Sequence, residues 1–344
     1  MASDSTRSPT LSPDPPPGRA SLADGGATER RAELDRAHRA LLRRTPALLL
    51  SLRFLSAALG RLWRGTRPSP GPAIGRPPAG IAAVTFVGHA TVMVTTPHLR
   101  ILTDPMLERS FFGLPRARAA GLAAADRDDV GLVLISHAHR DHLCLASLRA
   151  LPRQATIVVP PRCADLVTRL GFAGVIELAP GRSFALQDVM VTAVPVRHSG
   201  ARGFGDYARR GASGYVIGAE GTTIYFAGDT GYFSGFAEIG RRFQPDVALL
   251  PIGGYEPAPF RDEHMSPLDA AYAFDDLGAR VLIPIAHGSF PLSYEPLGAP
   301  LAWMRDLAVR RGLGDGDSTG GGPQDQRRLA ALEHGETCFF RKRR

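Results

Sequence analysis

Lysine is almost missing from this chain: Lys342 is the only one among 41 basic side chains, so the formal charge of +8 is carried by arginine. A basic protein gains free energy on polyanions by counterion release. Here the clearest basic clusters sit at the ends, "RRAELDRAHRALLRR" and "RKRR". They read as solvated faces, with a polyanion contact as the alternative, and no nucleic-acid partner is expected. Cysteine is scarce as well. Cys144, Cys163 and Cys338 are too few and too far apart for a disulfide framework, and no CxxC pair exists. That fits a reducing compartment, and a cytoplasmic location is expected.

Uninterrupted apolar runs are also lacking. The best candidate, "TPALLLSLRFLSAALGRLWRG" at residues 45–65, contains Arg53, Arg61 and Arg64. A spanning helix needs about 20 apolar residues without a central charge. Three readings stand: a helix packed on its own domain, a membrane-surface helix giving peripheral membrane association, or an export signal introduced by Arg43 and Arg44. Arg53 and the long leader count against the last. No GxSxG elbow and no Walker loop occur, so acyl-serine and P-loop chemistry lack their parts.

What is present divides the chain. Residues 1–31 are rich in Pro, Ser, Gly and Asp and should be disordered; residues 32–66 form an apolar and basic helical segment; residues 67–80 are a Pro/Gly linker. Residues 81–344 are expected to be the folded domain, with "GLGDGDSTGGGPQDQ" at 312–326 a flexible loop. Within the domain, strands such as "AAVTFVG", "TVMVTT", "RILTD", "TIVV", "VIEL" and "VALLPIG" alternate with helices at "LASLRAL", "RCADLVTRLG" and "SPLDAAYAFDDLG". In the last, Ser266 and Asp269 have the spacing of a capping box and Gly278 closes the helix. Paired strands with flanking helices predict an α/β fold built as a four-layer αββα sandwich.

The chemistry concentrates in "LISHAHRDHLCL", residues 134–145, where His137, His139, Asp141 and His142 fall within six positions after a short apolar strand. The pattern HxHxDH arises by chance in about one chain of this length in a few thousand. His198, Asp229 and His287 each follow a predicted strand, so seven side chains can converge at one edge of a sandwich. Desolvated together, five imidazoles and two carboxylates would be unfavourable unless paired or metal-bound. Nitrogen and oxygen donors without thiolate favour zinc, with manganese or iron as alternatives. His137 and His139 can serve a first ion, Asp141 and His142, at the start of the following helix, a second, and Asp229 can bridge them. His38, His98 and His334 are assigned structural roles.

Those residues resemble the metallo-β-lactamase superfamily. The segments "VGHATVMV", "ILTDPM", "LISHAHRDHL", "FAGDTGY", "PDVALLPIGGYEP", "HMSP" and "AHGSF" resemble, within it, the N-acyl-phosphatidylethanolamine-hydrolysing phospholipase D branch, over residues 82–296. The resemblance implies two zinc ions, one held by His137, His139 and His198 and the other by Asp141, His142 and His287, with Asp229 shared. It places His264 near the substrate head group, makes Asp104 a carboxylate that orients ligand histidines, and makes His89 a structural partner. The chain departs from the branch at Arg140, where a Tyr facing the substrate is usual, and in "AHGSF", which lacks a neighbouring Trp. Arg140 could bind a phosphate bidentately. The activity implied is that of a phospholipase D-like phosphodiesterase on N-acyl phosphatidylethanolamine or a related glycerophospholipid. A hydroxide held between two ions would attack, Asp141 would orient it, and His264 or Arg140 would assist the leaving group or neutralise phosphate. A lactonase or a soluble sugar-phosphate or nucleotide phosphodiesterase on the same site is the alternative. A non-catalytic nucleic-acid or membrane-binding module would have no need of the seven ligands. Oligomeric state is not legible.

Overall fold

The computed structural model describes residues 73–203, 205–206, 209–315 and 326–341. The expected disordered start, the helical segment with residues 45–65, the first part of the linker and most of the 312–326 loop lie outside the described residues. Among the described residues no helix is long and apolar enough to cross a membrane.

The chain enters through Ile74, whose amide donates to Asp126 and whose carbonyl accepts from Arg100. It then builds β1 (Ile81–Gly88), β2 (Thr91–Thr95) and β3 (Arg100–Thr103) as an antiparallel meander. A short hairpin, β4 (Ser110–Phe111) with β5 (Leu114–Pro115), precedes the small helix α1 (Ala124–Arg127). Parallel strands β6 (Leu132–Leu134), β7 (Thr156–Val159) and β8 (Gly174–Glu177) follow, with α2 (Leu145–Arg149) between the first two. The second sheet begins with β9 (Ser183–Leu186), β10 (Val189–Val194), β11 (Gly214–Ala219) and β12 (Thr222–Phe226), paired antiparallel in sequence. It continues through α3 (Gly235–Phe243), β13 (Val247–Pro251), α4 (Pro267–Leu277), β14 (Val281–Ile285) and α5 (Ala299–Arg310). The short β15 (Gly314–Asp315) and β16 (Arg328–Leu329) extend that sheet, and β17 (Thr337–Arg341) returns to pair with β1. The sheet orders are β17-β1-β2-β3-β6-β7-β8 and β15-β16-β14-β13-β12-β11-β10-β9.

The period-2 alternation of strands divides each apolar run between two cores. Val247 and Leu249 face the space between the sheets, as do Leu132, Leu134 and Ile283. Ala248, Leu250 and Leu282 face the other way, onto Phe236 of α3, Phe274 of α4 and Met304 of α5. On the first sheet Met93, Leu102 and Val133 pack outward with Leu148 of α2. The layers are therefore helix, sheet, sheet, helix. Each large apolar side chain buried in this way stabilises the fold by about 1.5–3 kcal/mol.

The local signals at α4 hold in the structure. Ser266 Oγ accepts from the Asp269 amide at 3.3 Å, the Asp269 carboxylate accepts from the Ser266 amide at 2.9 Å, and Gly278 ends the helix at φ 64°. Two expectations are corrected. "RCADLVTRLG" is not an α-helix but two 3-10 turns, Ala164–Leu166 and Thr168–Leu170. Val167 and Thr168 are β-branched, the Thr168 hydroxyl donates back to the Ala164 carbonyl at 2.7 Å, and Glu177 ties down the amides of Cys163 and Ala164; each opposes a continuous helix. Asp141 and His142 sit in a turn, and α2 begins only at Leu145. The helices α3 and α5 go beyond those expected from the sequence.

Candidate metal centre

Four strands deliver chemistry to one edge. β3 and β6 are parallel, as are β12, β13 and β14, so the residues after their C-terminal ends emerge on the same side of each sheet. Asp104 follows β3, His137 follows β6, Asp229 follows β12 and His287 follows β14. The loops close tightly: a Cβ on Gly228, at φ 61°, would lie 2.4 Å from the Ser136 Cβ. Glycine is the residue that lets Asp229 approach the His137 turn.

Asp104 is fully buried and organises the floor. One oxygen accepts from the Ser136 amide at 2.7 Å; the other accepts from the Ser136 hydroxyl at 2.5 Å and from His142 Nδ1 at 2.8 Å. With its proton committed to Asp104, Ser136 Oγ accepts from His137 Nδ1 at 2.9 Å. His198 Nδ1 donates to the Glu263 carbonyl at 2.9 Å. The neutral tautomers of His137, His142 and His198 therefore all expose Nε2 as a lone pair. The Nε2 atoms of His137 and His198 lie 2.8 and 3.1 Å from His139 Nδ1, which can donate to only one of them. His142 Nε2 is buried without a hydrogen-bond partner and sits 3.0 Å from Asp229 Oδ2; Asp229 Oδ1 is buried and also unpartnered. Convergent lone pairs and the orphaned Asp229 Oδ1 are the donor set a divalent cation satisfies, so the residues fit a metal centre.

Ligand atoms approach within 4.8 Å of one another in four groups: His137, His139 and His198; His89, Asp141 and His142; Asp104, His137 and His142; and His198, Asp229 and His264. The structure thus gathers His137, His139 and His198 and places Asp229 between His142 and His264 Nε2, the latter 3.6 Å away. It does not gather His287 with Asp141 and His142. The His287 ring stacks on Phe86, centroids 5.2 Å apart at 19°, and His89 Nε2 meets Asp141 Oδ2 at 3.1 Å in its place. A carboxylate oxygen accepts, so His89 is a proton donor to Asp141 here. Arg140 stands exposed on the turn and is absent from the linings of the two cavities described here.

Burial keeps His137, His198 and His287 neutral. It pushes His137 well below its ordinary value, helped by neighbouring His142 and His198, takes His198 to about 3 and His287 to about 4. Burial opposes the charge on His142 as well, but Asp229, Asp141 and Asp104 overcome it and hold a proton well above the usual range. The carboxylates that hold that proton would hold a cation in its stead. Burial likewise disfavours the Asp229 and Asp141 anions, yet His142 and its neighbours keep both below the normal carboxylate range.

Above the cluster opens a cavity of about 270 Å³, with His89, Asp141, Asp229, His264 and His287 among its polar lining. Phe111, Phe260, Phe290, Leu292 and Leu297 supply apolar walls. Sequence reasoning missed Ser136, whose place next to the motif was its only signal, and the wall aromatics, which carry none.

Residues 99–287 match the family model described as Beta-lactamase superfamily domain. A protein of Mycobacterium bovis is 32% identical over 247 residues, 68% of this chain and 66% of its own length. The N-acyl-phosphatidylethanolamine-hydrolyzing phospholipase D 1 of Caenorhabditis elegans is 31% identical over 60% of this chain and 64% of its own. The chain thus spans just under two thirds of the length of these relatives. A metal-dependent hydrolase of Caldivirga maquilingensis is 33% identical over 60% of this chain and 82% of its own. Among solved structures, the isothiocyanate hydrolase from Delia radicum gut bacteria shares the fold, with a TM-score of 0.59 at 21% identity over 76% of this chain and 99% of that one.

Proposed function

The chain belongs to the metallo-β-lactamase superfamily of metal-dependent hydrolases, and from that premise we propose that it is a dinuclear zinc phosphodiesterase acting on N-acyl phosphatidylethanolamine or a related glycerophospholipid. The observation that carries this reading is the first cavity, in which two ionised carboxylates and the imidazole cluster form the floor beneath aromatic and aliphatic walls. That combination suits an ester with a charged reacting centre and an apolar substituent. The 31% identity to the phospholipase supports the substrate class.

His137, His139, His198 and Asp229 would hold one ion; Asp141, His142 and Asp229 would hold the other, which His287, in the lining of the same cavity, would join only by turning from its stack on Phe86. Divalent ions there would supply Lewis acidity, lowering the pKa of a water and neutralising charge that develops on phosphate oxygens. The remaining work falls to the chain. Asp104 and Ser136 keep the histidine tautomers in place. Asp141 Oδ2, ionised and 17% exposed as a side chain, accepts a hydrogen bond from the attacking water and aims it. His264, at the mouth with Nδ1 donating to the Phe260 carbonyl at 3.3 Å, gives a proton from Nε2 of its doubly protonated ring to the departing oxygen and is left neutral, and exposed Arg140 is offered to a phosphate arriving from solvent. A volume of about 270 Å³ holds a head group but not two acyl chains, which favours a second reading, a soluble phosphodiester or an acyl lactone, if no membrane surface takes the chains.

The test joins metal analysis to a substrate panel. The protein should contain two zinc ions per chain, lose activity to chelators, and cleave N-acyl phosphatidylethanolamine to phosphatidic acid faster than a soluble phosphodiester, RNA or an acyl lactone. His137→Ala and Asp229→Ala should each lose metal and lower turnover about a hundredfold or more. Fastest turnover of the lactone or of RNA would end the phospholipase reading, and unchanged metal content in both variants would end the ligand assignment.

A further inference from the structure

Arg116, just beyond the β4–β5 hairpin, is 1% exposed. Its guanidinium donates through Nε to the Arg118 carbonyl at 2.8 Å and through Nη1 to the Met106 carbonyl at 2.6 Å, and it lies over the Phe290 ring. Nη2 is buried with no hydrogen-bond acceptor, and among the described residues no carboxylate pairs with this guanidinium. Desolvation lowers its pKa to about 10, which leaves it charged at neutral pH. A buried, uncompensated cation is an unfavourable arrangement that an anion would relieve.

His334, 3% exposed, stands beside it. A Cβ at Gly88 would lie 2.6 Å from Arg116 Nη2 and 2.8 Å from His334 Nε2, so the two side chains share the space a glycine leaves. Ser289 Oγ accepts from the His89 amide and lies 3.1 Å from His334 Nε2; when the hydroxyl donates there, the proton of the neutral imidazole is on Nδ1. Nδ1 is buried without a partner. Arg116 and His334 line a second cavity, of about 530 Å³, that shares His287, Gly288 and Leu297 with the first. Arg118 and Glu333, also in the lining, pair with each other. Arg305 reaches it from α5, exposed and with no ion pair among the described residues. Among the described residues these two guanidinium charges are left without a counter-charge.

We propose that this second cavity is an oxyanion site for a phosphate dianion, either free or as the monoester end of a larger ligand. Arg116 Nη2, the guanidinium nitrogen not already given to a carbonyl, offers a charged donor to a phosphate oxygen, His334 Nδ1 adds a neutral donor, and Arg305 supplies the second charge at the rim. A carboxylate monoanion would leave one guanidinium uncompensated. The site goes beyond the phosphodiesterase reading and is tested without turnover, so either can fail alone.

The experiment is calorimetric titration of the metal-loaded full chain at low salt with inorganic phosphate and, separately, with glycerol 3-phosphate. Arg305→Gln, at an exposed position, and His334→Gln should each weaken one binding component about tenfold, whereas Asp229→Asn in the first cavity should leave that component in place. Thermal unfolding of each variant verifies the fold. Equal affinity of glycerol 3-phosphate and phosphate would identify a monoester as ligand; binding of inorganic phosphate alone would identify the free anion; both keep the site. No binding of either, unchanged affinity in folded Arg305→Gln and His334→Gln, or a loss confined to Asp229→Asn would overturn it.

Discussion

At the scale of single residues, the candidate centre depends on a side chain that lines neither cavity. Asp104 accepts three hydrogen bonds, from the Ser136 amide and hydroxyl and from His142 Nδ1, and thereby fixes which nitrogen of His142 and His137 is free. Asp104→Asn puts an amide where only acceptors fit, so one donor of the network must face another. The expected result is a chain that still folds but binds metal about 10–100-fold more weakly, read by chelator competition. Wild-type metal affinity in the Asn variant would mean that the tautomers are set elsewhere. The role of Asp104 was open to sequence reading only through the likeness of "ILTDPM" to a known branch, because nothing in its local spacing reports a contact 32 positions away.

At the scale of elements, α4 brings His264 and the adjoining loop to the mouth of the first cavity. Its start is closed by the Ser266 and Asp269 capping box, and Arg261 adds a bidentate pair to Asp269 at 2.6 and 3.0 Å. Ser266→Ala should lower stability by about 1 kcal/mol, measured as a shift of the urea midpoint at constant slope. A shift indistinguishable from zero would show that Arg261 alone holds the turn. This cap was legible because its parts lie three residues apart. The 3-10 turns at 164–170 were not, because Glu177, which ties down their first amides, arrives from β8.

At the scale of the whole molecule, several buried imidazoles couple folding to pH. His198, His287 and His334 are depressed by burial to about 3, 4 and 3. The unfolded chain binds protons at these positions below about pH 6.5 while the folded chain does not, so their contribution is present above that pH and lost as it falls toward 4. Each steepens the loss by at most about 1.4 kcal/mol per pH unit. His142 runs the other way: its raised value contributes stability at low pH that is lost as pH rises through it. Melting temperatures of metal-free protein should therefore fall from pH 7 to pH 4, and a flat or rising profile would contradict the burial of these rings. Added zinc should raise the melting temperature most at neutral pH, where protons compete least for the lone pairs.

The sequence by itself determined the layered α/β architecture, since alternation within strands and the apolar runs of β6, β13 and β14 are local properties of the chain. It also determined the inventory of candidate donors, since His137, His139, Asp141 and His142 are neighbours and His198, Asp229 and His287 each follow a strand. What only the tertiary structure decided is how donors pair. His89 rather than His287 faces Asp141, and His334, read as structural from its sequence context, is buried beside Arg116 more than two hundred positions away. The reason is physical. Burial, tautomer and unpaired charge are properties of a packed neighbourhood, and that neighbourhood is assembled by β17 returning to β1 and by two sheets meeting at one edge.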